Sequence, residues 1–258
     1  MYSPQQITAG KKVNIKIIVE YDGSAYFGWQ RQKDKPSIQQ KIEDALKILF
    51  PGEKITLTGA GRTDTGVHAY NQCANFKISA EKFRDKGILK LKYSLNALLP
   101  GDIVIKSVKK VNDKFHSRYS AKKREYIYRF SVNEHAICRN YFYFIRQEFD
   151  AGLAIKFCRT IKGIHSFKAL CKNREDDHDF KCNVFDAGIK RRAAGIYEFR
   201  ITANRFLHSM VRAVVGAMLK VSSGSLPHDE FTRKFKKGDE IKIQYVPSNA
   251  LFLSKVTY

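Results

Sequence analysis

No stretch of this 258-residue chain approaches the ~20 consecutive apolar residues that a helix needs to cross a bilayer. The first ten residues also lack the apolar core of a secretory signal. Cysteines are few and odd in number: Cys73, Cys138, Cys158, Cys171 and Cys182 are widely spaced, with no Cys-x-x-Cys pair. That argues against a disulfide scaffold or a zinc ribbon, and for reduced thiols in a cytoplasmic protein. No Gly/Ser- or Pro-rich linker divides the chain, and no fixed-period repeat is visible. Carboxylates are scarce: 25 Asp and Glu face 47 Lys and Arg, a net charge of +22. Such an imbalance speaks of partners rather than of fold. Nucleic acid leads the candidates, ahead of an anionic membrane surface, for which no suitable amphipathic helix is present.

With 43% hydrophobic and 12% aromatic residues the chain has ample material for a core. Val13, Ile15, Ile17, Val19 and Tyr21 alternate with polar neighbours, the period-two pattern of a half-buried strand. Ser37 and Gln40 read as a capping box, followed by Ile38, Ile42, Ala45, Leu46 and Leu49 on one helical face. Short strands at 55–58 and 72–78, a helix over 81–95 and a strand at 103–108 complete the order strand, helix, strand, strand, helix, strand. That is the order of a split βαβ, or ferredoxin-like, unit. A second half repeats it: a long strand over 115–132, a helix over 151–161, strands at 183–190 and 196–203, a helix over 206–221 and a strand at 251–256. The expected fold class is therefore α+β, with residues 1–112 and 113–258 as two ferredoxin-like domains packed together.

Three segments carry chemistry. In 59–69, three glycines in eight residues mark a backbone that turns tightly or approaches something closely. Asp64 sits there with Arg62 before it and His68 after it; taken alone, such an Asp is most often a turn residue. The Gly-Lys-Ser/Thr ending of a phosphate-binding loop is missing. In 122–130, Tyr126, Tyr128 and Phe130 share one strand face behind a basic run, which suits stacking on unpaired bases as well as an ordinary core strand. In 206–221, Arg212 lies mid-helix on the less apolar side with Gly216 one turn on, leaving room for a close neighbour. A partly buried arginine needs an anionic partner, and Asp64 is the candidate. The acidic run 175–179 has no metal-ligand spacing and reads as a solvated loop, and the basic runs 190–192 and 233–237 as solvated faces.

Gly61-Arg62-Thr63-Asp64-Thr65-Gly66-Val67-His68-Ala69 resembles the catalytic motif of the TruA family of tRNA pseudouridine synthases. Glu20-Tyr21-Asp22-Gly23-Ser24, Gly28-Trp29-Gln30-Arg31-Gln32, Phe115-His116-Ser117-Arg118-Tyr119-Ser120-Ala121 and Asn204-Arg205-Phe206-Leu207-His208-Ser209-Met210-Val211-Arg212 extend the resemblance in order, to Leu251-Phe252-Leu253 at the end. It implies two ferredoxin-like halves with joined sheets and a basic cleft. It also implies an isomerase that turns uridine into pseudouridine at positions 38, 39 and/or 40 of the tRNA anticodon stem-loop. Such an enzyme uses no cofactor and no metal, and is generally a homodimer. Asp64 takes the place of the catalytic carboxylate, which attacks the ribose or the uracil ring or assists elimination at the sugar. Arg212 matches the arginine paired with it, and Tyr126 the tyrosine that packs on the target uracil and is a candidate for removing its C5 proton. Leu251 matches an apolar residue of the substrate pocket, with Leu253 its alternative. Arg62 supports extrusion of the base, and His68 belongs with the substrate-binding set. The competing class is a non-catalytic tRNA-binding protein or chaperone on the same scaffold.

Overall fold

The computed structural model describes residues 12–172 and 179–258, and is α+β. The first half runs β1 (Lys12–Tyr21), α1 (Ile38–Leu49), β2 (Thr58–Gly59), β3 (His68–Ser79), α2 (Ala80–Leu98) and β4 (Ile103–Val111). The second runs β5 (Lys123–Ser131), β6 (Tyr143–Phe144), α3 (Ala151–Thr160), β7 (Gly163–Ser166), β8 (Lys181–Ala193), β9 (Ile196–Ala203), α4 (Met210–Ser222), α5 (His228–Lys237) and β10 (Leu251–Thr257). One sheet has the order β4-β1-β3-β10-β5-β9-β8-β7, with β2 paired to β3 and β6 to β5.

Each half repeats one antiparallel strand order. In the first it is β4-β1-β3-β2, and in the second β10-β5-β9-β8. Both are the interleaved order of the split βαβ unit, with a helix returning each strand across its neighbour. The halves meet where β10 runs parallel to β3, Phe252 opposite His68 and Leu253 opposite Ala69. A single buried cluster runs from Ile15 and Ile17 of β1 through Tyr126 and Tyr128 of β5 to Val214 and Met218 of α4. No helix of the described residues is long and apolar enough to cross a membrane.

Local chemistry accounts for the elements. Ser37 caps α1 by accepting from the Gln40 N–H, while Ile38, Ile42, Ala45 and Leu46 are buried. The helix expected over 81–95 extends over Ala80–Leu98 and is interrupted at Gly87, whose φ of 68° breaks the helical run. The strand expected over 115–132 is shorter. Residues before Lys123 form a turn instead, closed by Ser120 N–H donating to His116 O and by His116 N–H donating to Ser120 Oγ. The helix expected to start at 206 starts at Met210, because Ser209 is left-handed at φ 54°. The run 233–237 belongs to α5, an element the sequence reading missed. Phe231 and Phe235 bury one side, Lys234, Lys236 and Lys237 fill the last turn, and Gly238 ends it.

Candidate active site

Asp64 stands on a loop between β2 and β3 that the N-terminal segment cradles. Trp29 N–H donates to Thr63 O at 3.2 Å, Gly66 N–H to Tyr26 O at 3.2 Å, and Val67 N–H closes a turn onto Asp64 O at 3.2 Å. Thr63 Oγ1 and Tyr21 OH share a hydrogen bond of 2.8 Å. Two glycines permit this contact. A Cβ on Gly28, at φ 86°, would lie 2.3 Å from Thr63 O, and one on Gly23 would lie 2.0 Å from Val67 O. The Tyr21–Gln32 stretch is thus the seat of the Asp64 loop.

A half-buried guanidinium holds the other side. Arg124, on β5, donates through Nε (3.1 Å) and Nη2 (2.8 Å) to Ala60 O, through Nη2 to Arg118 O (2.7 Å), and through Nη1 to Asn204 O (2.7 Å). Five donors in a planar fork suit this collection of carbonyls, which a lysine could not satisfy.

The Asp64 carboxylate meets the start of α4. Ser209 Oγ donates to Oδ2 at 2.8 Å, Arg212 Nη1 lies 3.6 Å from Oδ2, and His208 Nε2 lies 3.8 Å from Oδ1. Asp64 keeps about a quarter of its side chain open to solvent (27%). Arg212 is steadied by its Nε donating to Val246 O at 2.7 Å. The segment carrying Val246 crosses α4 at Gly216, where a Cβ would sit 2.0 Å from Gln244 O. The close neighbour of Gly216 is that backbone.

Tyr126 is buried, edge-on to Phe206 with ring centroids 5.1 Å apart. Burial first, then Tyr21 and the Asp64 carboxylate, push its phenol well above the ordinary value. Across the strand pair, Leu253 lies opposite Tyr126 and Leu251 opposite Tyr128. Of the two leucines, Leu253 is the cross-strand neighbour of Tyr126. Arg62 is exposed and carries no ion pair among the described residues.

His68 is buried and stacks on Phe252, on the sheet face opposite Leu253 and Tyr126. Its Nδ1 lies 3.0 Å from both the Gly23 N–H and Asp22 Oδ1, and its Nε2 2.9 Å from Asn249 O. With both nitrogens engaged, it ties the loop's exit to the turn before β10. Ser209, His208 and Arg124 are site residues that sequence reasoning missed, although each falls inside a stretch it singled out. Among the described residues no three His, Cys, Asp or Glu side chains gather as a metal site would need. Most of the acidic run 175–179 lies outside the described residues; Asp179 pairs with Arg205 at 3.2 Å.

A family model described as tRNA pseudouridine synthase matches residues 17–120 and 157–258. This chain belongs to that family. It is similar to tRNA pseudouridine synthase A of Caldicellulosiruptor bescii, 37% identical over 250 residues that cover 95% of this chain and 99% of that one. The Thermoanaerobacter sp. (strain X514) protein of the same name is 37% identical, covering 95% and 99%, and that of Geobacillus sp. (strain WCH70) 34%, covering 95% and 98%. The two matched pseudouridine-synthase segments carry Asp64 and Arg62 in one and Ser209, Arg212 and Leu251 in the other. Arg124 and Tyr126 lie between them.

Proposed function

We propose that this protein isomerises uridine to pseudouridine in the anticodon stem-loop of tRNA, at positions 38, 39 and/or 40, with Asp64 as its catalytic carboxylate. The observation that carries this reading is a partly open aspartate which distant segments bring beside Ser209 and Arg212. The positive chain around it supplies the attraction to phosphates.

The reaction breaks the bond between ribose C1′ and uracil N1, turns the uracil, and joins C1′ to C5. The C5 proton is lost and N1 ends protonated, so atoms balance and nothing is oxidised or reduced. No cofactor or metal is required by that balance. An aspartate carboxylate supplies the nucleophile at the sugar or the ring, or assists elimination at the sugar, and Arg212 steadies its charge. Tyr126 gives the uracil a flat wall and is the candidate for taking the C5 proton, which is then released to water. Leu253 and Leu251 extend the apolar wall. Arg62, exposed on the Asp64 loop, supports extrusion of the base from the stem, which costs a few kcal/mol. The halves 1–112 and 113–258 act as two domains of a cytoplasmic enzyme that works as a homodimer.

Carbodiimide adduct mapping by primer extension on treated tRNA transcripts tests the target. Pseudouridine at 38, 39 or 40 is expected; conversion confined to other arms would contradict the assignment.

A further inference from the structure

Tyr119 combines an exposed ring with a fixed backbone. Its side chain is 78% exposed, yet the turn beneath it is tightly held. His116 Nδ1 accepts from the N–H groups of Arg118 (3.2 Å) and Tyr119 (3.3 Å). Ser117, buried, donates its N–H to Asn75 Oδ1 at 2.8 Å, and Tyr258 OH donates to Ser117 O at 2.9 Å. The His116 ring lies against the Tyr119 ring with centroids 4.4 Å apart, and Arg118 Cζ stands 5.7 Å from the same ring.

This turn is coupled in space to the Asp64 loop. The same Arg124 Nη2 that binds Arg118 O at 2.7 Å also binds Ala60 O at 2.8 Å, two residues before the exposed Arg62. An aromatic ring on a fixed backbone loses little further freedom when a flat ligand stacks on it. Every nucleobase offers such a face, and a neighbouring guanidinium favours nucleic acid further.

We propose that the Tyr119 ring, backed by His116 and flanked by Arg118, is a stacking site for an unpaired base of the substrate RNA, tied through Arg124 to the Asp64 loop and separate from the Asp64 carboxylate. The inference rests on the tRNA reading above. Extruding a uridine leaves its neighbours without a stacking partner, and Tyr119 replaces the one that was lost.

Two full-length variants test it, Tyr119→Ala and Tyr119→Phe, with tRNA affinity measured at fixed salt, KM and kcat measured by tritium release, and sedimentation run in parallel. Loss of one base stack weakens tRNA binding and raises KM by about fivefold or more in the alanine variant. Its kcat stays within about twofold of wild type, its thermal midpoint is unchanged, and phenylalanine restores the affinity. Wild-type affinity in Tyr119→Ala would overturn the proposal. So would a phenylalanine variant as weak as alanine, or an effect on self-association in place of RNA binding. The affinity comparison stands without turnover, so a wild-type protein that binds tRNA but releases no tritium would fail the isomerase reading and leave the stacking site testable.

Discussion

Ser209 Oγ donates to Asp64 Oδ2 at 2.8 Å, joining residues 145 positions apart. Ser209 precedes α4, where a serine hydroxyl ordinarily caps the first turn. Here it makes no capping bond, and its backbone is left-handed at φ 54°. A non-glycine residue in that region carries strain, which the surrounding structure sustains where it serves a site. The hydroxyl is directed at the carboxylate in place of the helix.

Ser209→Gly separates the two effects. Glycine removes the hydroxyl but accepts φ 54° without strain. Turnover on tRNA is expected to fall about tenfold, the scale of one hydrogen bond to a charged group, while the thermal midpoint holds or rises. Unchanged turnover would show that Ser209 does not position Asp64.

Of two glycines in the Asp64 region, one should be costly to replace and the other not. Gly28→Ala forces a Cβ to 2.3 Å from Thr63 O at φ 86°, so the loop or its cradle must move. A loss of several kcal/mol in urea unfolding, on the order of 3, is expected, with activity lost alongside. Gly61→Ala meets only Arg124 Nε, at 3.9 Å, and should leave stability within about 0.5 kcal/mol. Equal costs would refute the cradle.

Acid sensitivity should trace to Glu198, buried on β9. Burial alone would raise its carboxyl, but hydrogen bonds and charge from Arg192 and Arg200 outweigh that and leave it below the usual value. A depressed folded value contributes stability that is present above the unfolded pKa of about 4.3 and lost as pH falls through the folded one. Glu198→Gln should therefore be less stable than wild type at pH 7, with the gap closing below about pH 4. A gap that persists at low pH would mean that packing, not charge, sets the difference.

Much of this was legible in the sequence because it depends on local period and turn chemistry. The alternation of β1, the capped face of α1 and the limits of β9 follow from residues close together in the chain. The Asp64–Arg212 meeting, now a 3.6 Å pair, was anticipated because a mid-helix arginine needs an anion. Ser209 escaped notice because handedness at one residue leaves no trace in hydrophobic period, and because its partner lies in the other half. Arg124 looked like one more basic residue of a run; only the folded chain brings the carbonyls of Ala60, Arg118 and Asn204 to its guanidinium. The motif places His68 near Asp64 in sequence, and strand alternation puts its ring on Phe252, on the face opposite Leu253.

The most direct measurement of the central claim is tritium release from tRNA carrying uridine labelled at C5, with Asp64→Ala run beside wild type. Wild type is expected to release the label. Asp64→Ala is expected to release none while binding tRNA within a few-fold of wild type. Release by the alanine variant at the wild-type rate, or none by wild type on any anticodon-arm substrate it binds, would contradict the account.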